Sequence, residues 1–364
     1  MYRAADIERL KAGKARGRKP KAIALGALDW GIGGLPSRIT LVEGSRLYYR
    51  GQDAIELART ASLEAVARLL WECGSDDPFG TAPPPAQRAA SGVAPLDRCR
   101  AALLSLGARP LWNRENARLA CDGAALLRAI TACALDRPPS TCPAHEQITD
   151  VWRLDADAAD VVRAALVLLA DHELNASTFA ARVVASTGAS LSACLSAGFA
   201  ALSGPLHGGA TALAEALFAS AEQVGGAVAT VEARLARGEA IPAFGHPLYP
   251  DGDPRAAFIL ARLPADPIRA ALIATVAEIG GHAPNVDFAL ASLTRSFGLP
   301  AGSGLVLFAL ARSVGWIAHA IEQSGERKLI RPRADYIGIR PAPITRARHS
   351  GSHETNAAIG RRSA

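Results

Sequence analysis

His207 lies in a short segment, residues 204–210, that contains Pro205 and three glycines between two stretches rich in Ala and Leu. A Gly-Pro pair ends a helix, and the run 210–221 predicts that a new helix begins directly after it. The positive end of that helix dipole favours the neutral form of a nearby imidazole. A neutral ring in this place can donate a hydrogen bond to developing negative charge, whereas the alternative is a structural histidine at a helix junction.

Two further histidines stand in polar breaks of the chain. His172 is flanked by Asp171 and Glu173 and directly follows an apolar stretch that is predicted to be helical. Because buried polar groups need partners, we expect a ligand or another ionic group beside it. His246 lies in residues 241–256, where several prolines and glycines predict a rigid, irregular loop that presents this side chain.

Three charged side chains lie within, or at the start of, predicted helices. Arg255 occupies a first helical turn, where a cation opposes the helix dipole, so an anionic ligand is one explanation for it. Arg312 lies inside the apolar run 303–323 and needs a charged partner or an anionic ligand. Asp287 also begins a helix, where a carboxylate stabilises the first turn, so its position alone leaves a structural role open.

Helical periodicity dominates the elements that must hold these side chains. Apolar residues recur at steps of three and four, which is typical of helices with one buried face. Helices are predicted at 55–73, 98–107, 114–134 and 155–171, with a long loop at 74–97. The clear strand signal is an alternating hairpin at 38–51.

The stretch 183–214 contains no charged residue and is long enough to span a bilayer. Its serines and glycines favour a buried helix in a large protein, at a subunit interface for example. The sequence therefore predicts no membrane segment here.

Composition indicates a protein with a large core and about two domains. The 364 residues are 49% hydrophobic and carry a net charge of +6. Residues 1–22 and 325–364 each carry a net +6, so the middle of the chain carries −6. The basic character belongs to the two ends, and nucleic-acid binding by the body of the protein is not predicted.

The six cysteines are spaced too irregularly for a zinc site or a Cys-x-x-Cys redox pair. The basic N-terminal segment has no apolar stretch of the kind found in secretory signals. We therefore expect free thiols and a cytoplasmic location, with no bound metal.

Taken together, these residues resemble the citrate synthase family from about residue 38 to residue 340. The motifs that carry the resemblance follow the family's order: Tyr49-Arg50-Gly51, Asp171-His172-Glu173-Leu174-Asn175-Ala176-Ser177-Thr178, Gly204-Pro205-Leu206-His207-Gly208-Gly209, Gly245-His246 with Asp253-Pro254-Arg255, Pro284-Asn285-Val286-Asp287, Ala311-Arg312-Ser313-Val314-Gly315-Trp316-Ile317-Ala318-His319, and Arg331-Pro332-Arg333. Two departures are Ala243, where the family usually has glycine, and Thr211, where asparagine is common. Residues 2–22 resemble the end of a MerR-type helix-turn-helix without its upstream helices, and the alternative is a solvated basic tail.

The resemblance implies a mainly α, citrate synthase-like two-domain fold with a short N-terminal β-hairpin, assembled as a homodimer. The expected divisions are a basic segment at 1–37, a large helical domain at 38–207 and 298–345, a small helical lid domain at 208–297, and a flexible tail at 346–364. The active site is then expected in the cleft between the two domains, with His207 at the hinge.

The implied reaction is a Claisen-type condensation of acetyl-CoA with oxaloacetate, followed by thioester hydrolysis to citrate and CoA. By the matched motifs, Asp287 would be the base, His207 would donate to the enolate oxygen, and His246 would polarise the ketone and donate a proton. The substrate-binding residues would be His172, Arg255, Arg312 and Arg331, and the coenzyme A loop would be Ile241, Pro242, Ala243, Phe244 and Gly245.

By resemblance, Arg331 would be contributed by the partner subunit, and Arg333 is the alternative for this position. The family resemblance implies acetyl-CoA as a co-substrate, no permanently bound cofactor and no metal. His319 belongs to one of the family motifs, but it lies in the predicted buried helix 303–323, where packing is its expected role.

Two alternative functions remain open. One is a 2-methylcitrate synthase that uses propionyl-CoA, because a single methylene changes binding by only about 1–3 kcal/mol. The other is a non-catalytic ligand-sensing domain linked to a DNA-binding element, which the basic start of the chain suggests. A thiol-release assay with each acyl-CoA distinguishes the three functions.

Overall fold

The computed structural model describes residues 35–86, 92–106, 109–112, 114–223, 225–334 and 336–340. The chain divides into two units, Leu35–Ile330 and the terminal segments Met1–Gly34 with Arg331–Ala364. The predicted tail at 346–364 lies outside the described residues, and so does the predicted basic segment at 1–37 except for its last three residues. The described residues of the terminal unit are irregular and exposed.

The part of the chain that the structure describes contains fourteen α-helices. In chain order they are α1 (Ala54–Thr60), α2 (Leu63–Leu70), α3 (Pro95–Ser105), α4 (Asn116–Leu135), α5 (Ala144–Trp152), α6 (Ala156–Leu169), α7 (Ala176–Ser186), α8 (Leu191–Leu202), α9 (Gly209–Gln223), α10 (Ala227–Ala236), α11 (Pro254–Leu260), α12 (Pro267–Glu278), α13 (Val286–Ser296) and α14 (Ser303–Glu326). The prediction of a mainly α fold is confirmed.

The predicted hairpin is present and consists of β1 (Thr40–Glu43) and β2 (Arg46–Tyr49), paired antiparallel. Gly44 and Ser45 form a two-residue turn in which both φ angles are positive, 56° and 59°, as a type I′ turn requires. A third strand, β3 (Gln52–Asp53), extends the sheet beside β2, and the sequence pattern did not reveal it.

The larger hydrophobic core surrounds α14, which packs against α4, α6, α7 and α8. Trp316 of α14 is fully buried, and Gly198 of α8 lies directly beneath its ring. The apolar stretch around α8 is therefore part of a protein core. Among the described helices, α14 alone is long and apolar enough to cross a bilayer, but 89% of that stretch is buried inside the protein, as in a core helix.

A second hydrophobic core lies entirely within residues 214–291. Its members come from α9, α10, α12 and α13, with Ala243 from the intervening loop. Leu217, Phe218, Leu272 and Phe288 are its largest buried side chains. This core belongs to the stretch for which the sequence predicts a lid domain.

One predicted helix is two helices in the structure. The chain breaks between α1 and α2 because Ala61 is extended and the Ser62 hydroxyl accepts a hydrogen bond from the N–H of Ala65. Serine is a favoured N-cap since it satisfies an amide at the start of a helix. The apolar periodicity continues across the break, so the prediction of one helix over 55–73 is wrong.

Three helices begin at or directly after a proline, at positions where the sequence analysis did not predict a helix start. Helix α3 begins at Pro95 inside the predicted loop at 74–97, which also contains a 3₁₀ turn at Pro78–Gly80. Helices α5 and α12 were not predicted; α12 begins at Pro267, with the Asp266 side chain as its cap. Proline fits the first turn of a helix because no N–H is needed there.

Candidate active site

The loop that carries His172 is fixed at the end of α6. The last carbonyl groups of a helix have no partner within it. Here the Tyr49 hydroxyl lies within 3.2 Å of carbonyl oxygens of this turn, and Arg312 Nε donates to Leu169 O at 2.9 Å. The Gly315 N–H donates to the following carbonyl at 3.0 Å. Strand β2 and helix α14 therefore hold this loop in place.

Three rings from two loops meet around His172. The centroids of His172 and His246 are 5.0 Å apart with nearly perpendicular planes, and the Tyr249 hydroxyl lies 2.9 Å from His172 Nε2. Burial raises the pKa of Tyr249 to about 12, so it remains a neutral phenol. Burial, with the nearby charges of Arg255 and Arg312, lowers the pKa of His172 well below its usual value. His172 is therefore neutral near pH 7.

The protonated nitrogen of His246 follows from its hydrogen bond. Its Nδ1 accepts the backbone N–H of Leu248 at 3.2 Å. Burial, reinforced by Arg255 and opposed by Asp253, lowers the pKa of His246 to about 4. A neutral imidazole has one proton, so Nε2 is the N–H donor of this ring.

His207 precedes α9 by two residues, as the sequence predicts. Its Nε2 lies 2.7 Å from Ser177 Oγ, which also accepts a hydrogen bond from Trp316 Nε1 at 3.2 Å. Burial, together with the charge of Arg312, lowers the pKa of His207 to about 4. The ring is therefore neutral, as expected for a hydrogen-bond donor rather than an ion-pair partner.

Among the described residues, Arg312 is the one arginine with a buried nitrogen that lacks a hydrogen-bond partner. It is 1% exposed, and its guanidinium lies 4.6 Å from the ring centroid of Phe308, which also contacts His207 edge-on at 5.7 Å. Its Nη1 is buried without a hydrogen-bond partner among the described residues. Burial lowers its pKa to about 10; Asp171 opposes this shift and Arg255 adds to it. An anionic ligand would satisfy this group.

Arg255 forms a buried ion pair that the sequence argument did not foresee. Its Nε and Nη2 donate to the two oxygens of Asp253 at 3.0 and 2.8 Å. Asp253 Oδ2 also accepts the Val286 N–H at 3.1 Å. This carboxylate ties the start of α11 to the start of α13, beside Asp287.

Asp287 lies in the first turn of α13, where Asn285 caps the helix. The hydroxyl of Thr211 on α9 donates to Asp287 Oδ1 at 2.6 Å. Burial raises the pKa of Asp287, while Thr211 and the charge of Arg255 oppose the shift. A carboxylate in this setting is a stronger base than one in water.

The predicted coenzyme A loop pairs with the chain that leads into α13. Gly245 N donates to Ala283 O at 2.8 Å, and Asn285 N donates to Ala243 O at 3.0 Å. Ala243 has a φ of 65°, in the left-handed region that costs a non-glycine residue about 1–2 kcal/mol. This conformation explains why glycine suits the position, as noted for the family.

His319 has a polar environment rather than the apolar packing that the sequence predicted. It is fully buried, with Nε2 at 3.4 Å from Asp171 Oδ2 and Nδ1 at 3.4 Å from Arg182 Nη1. Arg182 also binds Glu322 and Glu326. The helix pattern located His319 in the core but not its charged neighbours.

The structure brings six of the predicted residues close together, through the ring contacts and electrostatic interactions above. They are His172, His207, His246, Arg255, Asp287 and Arg312. The structure does not test the predicted role of Arg331, which belongs to the terminal unit and is exposed. The sequence reasoning missed Tyr249, and noted Ser177 and Thr211 without a site role. The signal that could have identified Tyr249 is its position as an aromatic residue within a loop of proline, glycine and aspartate.

The six cysteines of the chain are free. Within the described residues, no group of three or more His, Cys, Asp or Glu side chains is arranged to hold a metal ion. The polar groups of the cluster are thus arginines, neutral histidines, hydroxyls and carboxylates.

Comparison with known protein families shows to which family the chain belongs. The family described as "Citrate synthase, C-terminal domain" matches residues 86–333. The chain belongs to the citrate synthase family. The family is one of acyl-transferring enzymes, so the prediction of an enzyme is confirmed and the non-catalytic sensor is not supported.

Two relatives and one solved structure show how far the similarity to the citrate synthase family extends. A 2-methylcitrate synthase from Shewanella oneidensis is 30% identical over 353 residues, covering 83% of this chain and 92% of the relative. A citrate synthase from Haloferax volcanii is 30% identical over 372 residues, covering 88% and 98%. A citrate synthase from Thermoplasma acidophilum, solved with carboxymethyl coenzyme A and oxaloacetate, shares the fold with a TM-score of 0.69 at 24% identity, covering 88% and 98%.

Proposed function

We propose that this enzyme condenses acetyl-CoA with oxaloacetate and hydrolyses the resulting thioester to citrate and CoA. The observation that carries the proposal is the buried Nη1 of Arg312, which lacks a partner among the described residues and lies in a cluster of neutral histidines. A dianionic keto acid supplies the missing negative charge. The Thermoplasma neighbour was solved with this keto acid and a coenzyme A derivative.

In the proposed first step, Asp287 removes a proton from the methyl group of the thioester. Burial raises the pKa of this carboxylate, which brings it nearer to the pKa of the weak carbon acid. The neutral ring of His207 donates a hydrogen bond to the thioester oxygen as negative charge develops there.

In the second step the enolate carbon attacks the ketone carbon of oxaloacetate. His246 Nε2–H donates to the ketone oxygen, since Nδ1 of this ring accepts the Leu248 N–H. His172, Arg255 and Arg312 bind the keto acid, and in the homodimer Arg331 of the partner subunit completes the carboxylate contacts.

We infer that residues 208–297 act as a lid, with Ile241, Pro242, Ala243, Phe244 and Gly245 contacting coenzyme A. The separate hydrophobic core of α9, α10, α12 and one face of α13 supports such a lid. Helix α11 and the other face of α13 pack in the larger core and would form the contact of the lid with the large domain. Closure over both substrates would exclude water until the new bond has formed. Six free cysteines support a reducing, cytoplasmic setting.

The test is release of the CoA thiol by the purified protein with oxaloacetate and acetyl-CoA. Asp287→Asn is expected to lower turnover by at least about a hundredfold while oxaloacetate still binds, because the base is lost. Asp97→Asn is the control, since Asp97 also occupies a first helical turn, that of α3. Near-normal turnover in Asp287→Asn would remove this residue from its role.

The 2-methylcitrate synthase among the relatives favours propionyl-CoA as a second candidate substrate. Its extra methyl group is worth about 1–3 kcal/mol in a fitted pocket, or roughly 5–150-fold in rate. Comparison of kcat/KM for the two acyl-CoA substrates at saturating oxaloacetate decides between them. If kcat/KM is higher for propionyl-CoA, then propionyl-CoA and not acetyl-CoA is the preferred substrate.

A further inference from the structure

The carboxylate proposed as the base has one side-chain partner that the family motifs do not assign. Thr211 is 1% exposed on the first turn of α9, and its hydroxyl lies 2.6 Å from Asp287 Oδ1. No other hydrogen bond to the Asp287 carboxylate occurs among the described residues. Helix α9 begins two residues after His207, so one short segment positions both proposed reacting groups.

The methyl group of Thr211 fixes the direction of its hydroxyl. A Cβ added at Gly304 of α14 would lie 2.9 Å from Thr211 Cγ2, so the helices meet closely at this point. A β-branched side chain in a helix has restricted χ1 freedom, and this contact restricts it further. The hydroxyl is therefore held towards α13 and Asp287.

We propose that Thr211 is the positioning residue of the base: its hydroxyl holds Asp287 Oδ1 and stabilises the ionised carboxylate, which leaves Oδ2 to take the substrate proton. The inference rests on the proposed function. A hydrogen bond donated to a carboxylate favours the charged form. It counteracts burial, which raises the pKa of Asp287.

Three charged side chains around Asp287 also shift its pKa, in addition to the hydrogen bond from Thr211. Arg255 and Arg312 lower its pKa, whereas Asp253 raises it. These three side chains come from α11, the loop before it and α14. Substitution of Thr211 leaves all three in place, so a change in the pH profile reports the loss of the hydroxyl.

The test compares Thr211→Val, which keeps the side-chain shape without the hydroxyl, with Thr211→Ser, which keeps the hydroxyl. In Thr211→Val we expect kcat to fall about ten- to a hundredfold, because the carboxylate is no longer held in one orientation and its higher basicity does not offset that loss. The KM for oxaloacetate should stay unchanged. The acidic limb of the kcat profile should move to higher pH, because the carboxylate is easier to protonate. Thr211→Ser should restore the limb and most of kcat.

Thr294→Val is the matched control, since it removes a buried hydroxyl from α13 that has no hydrogen-bond partner among the described residues. A Thr211→Val enzyme with an unshifted acidic limb, or a Ser variant that fails to restore it, would overturn the proposal. If wild-type protein releases thiol and Asp287→Asn does not, these outcomes concern Thr211 alone. Absence of turnover in the wild-type protein would instead refute the proposed function.

Discussion

The Ser177 hydroxyl has one proton and two acceptors within reach. His207 Nε2 lies at 2.7 Å and Asn175 Oδ1 at 2.9 Å, while the N–H of Trp316 occupies one lone pair of the oxygen. Asn175 Oδ1 already accepts the N–H of Thr178 as the cap of α7. If Ser177 donates to His207 Nε2, the proton of the neutral ring lies on Nδ1, which then donates to the substrate.

Ser177→Ala is therefore expected to lower kcat by about ten- to a hundredfold, with the KM for oxaloacetate little changed. The variant removes the hydroxyl that determines which nitrogen of His207 carries the proton. It leaves every residue proposed to bind oxaloacetate unchanged. Steady-state thiol release at varied oxaloacetate measures both constants.

Ser292→Ala serves as the control, because its buried hydroxyl bonds to Phe288 O within α13. It should lose some stability but retain kcat. Equal effects of the two serine substitutions on kcat would contradict a tautomer role for Ser177.

At the level of elements, one face of α14 lines the proposed site. Phe308, Arg312, Gly315, Trp316 and His319 recur at steps of three and four, so they share a face of the helix. Phe308 contacts His207, and Trp316 donates to the Ser177 hydroxyl. Arg312 and Gly315 donate to carbonyl oxygens at the end of α6, and His319 lies beside Asp171. The position of this helix therefore controls the spacing of groups from distant parts of the sequence.

Gly198→Ala is expected to displace α14 from α8 and to destabilise the protein by about 1–3 kcal/mol. An added Cβ would lie 2.5 Å from the Trp316 ring, which is fully buried. Gly325→Ala is the control within α14, where a Cβ meets nothing within 4 Å and should stabilise the helix by up to about 1 kcal/mol. Denaturant unfolding of both variants and the wild-type protein measures these changes in stability. Similar unfolding midpoints for the two variants would contradict the prediction.

At the level of the whole molecule, burial keeps three site histidines neutral. His172, His207 and His246 all have pKa values below the usual 6.5, two of them at about 4. In the unfolded chain these residues take up protons as the pH falls through 6.5, but in the folded protein they do not. Their contribution to stability is thus full above pH 6.5 and is lost as the pH falls towards 4.

The free energy of unfolding should therefore decrease between pH 7 and pH 5. The decrease should be smaller in His207→Gln, which removes one of the three groups. Asp287 opposes this trend because burial raises its pKa above the ordinary 3.8, but His207→Gln leaves Asp287 in place, so the difference between the two proteins reports on His207. Denaturant titrations at the two pH values test the difference, and an identical decrease in both proteins would show that His207 does not contribute.

The amino-acid sequence alone determined the helical class, the hairpin and the family, and it predicted six residues that the structure brings close together. These features depend on local signals: apolar spacing, turn residues, helix caps and short motifs. Tertiary structure decided the rest, because those features depend on contacts between residues far apart in sequence. Asp253 neutralises Arg255, Thr211 reaches Asp287 across 76 positions, and Tyr249 meets His172 across 77. Burial then sets the protonation states, since the cost of a charge depends on the surrounding fold and not on its neighbours in the chain.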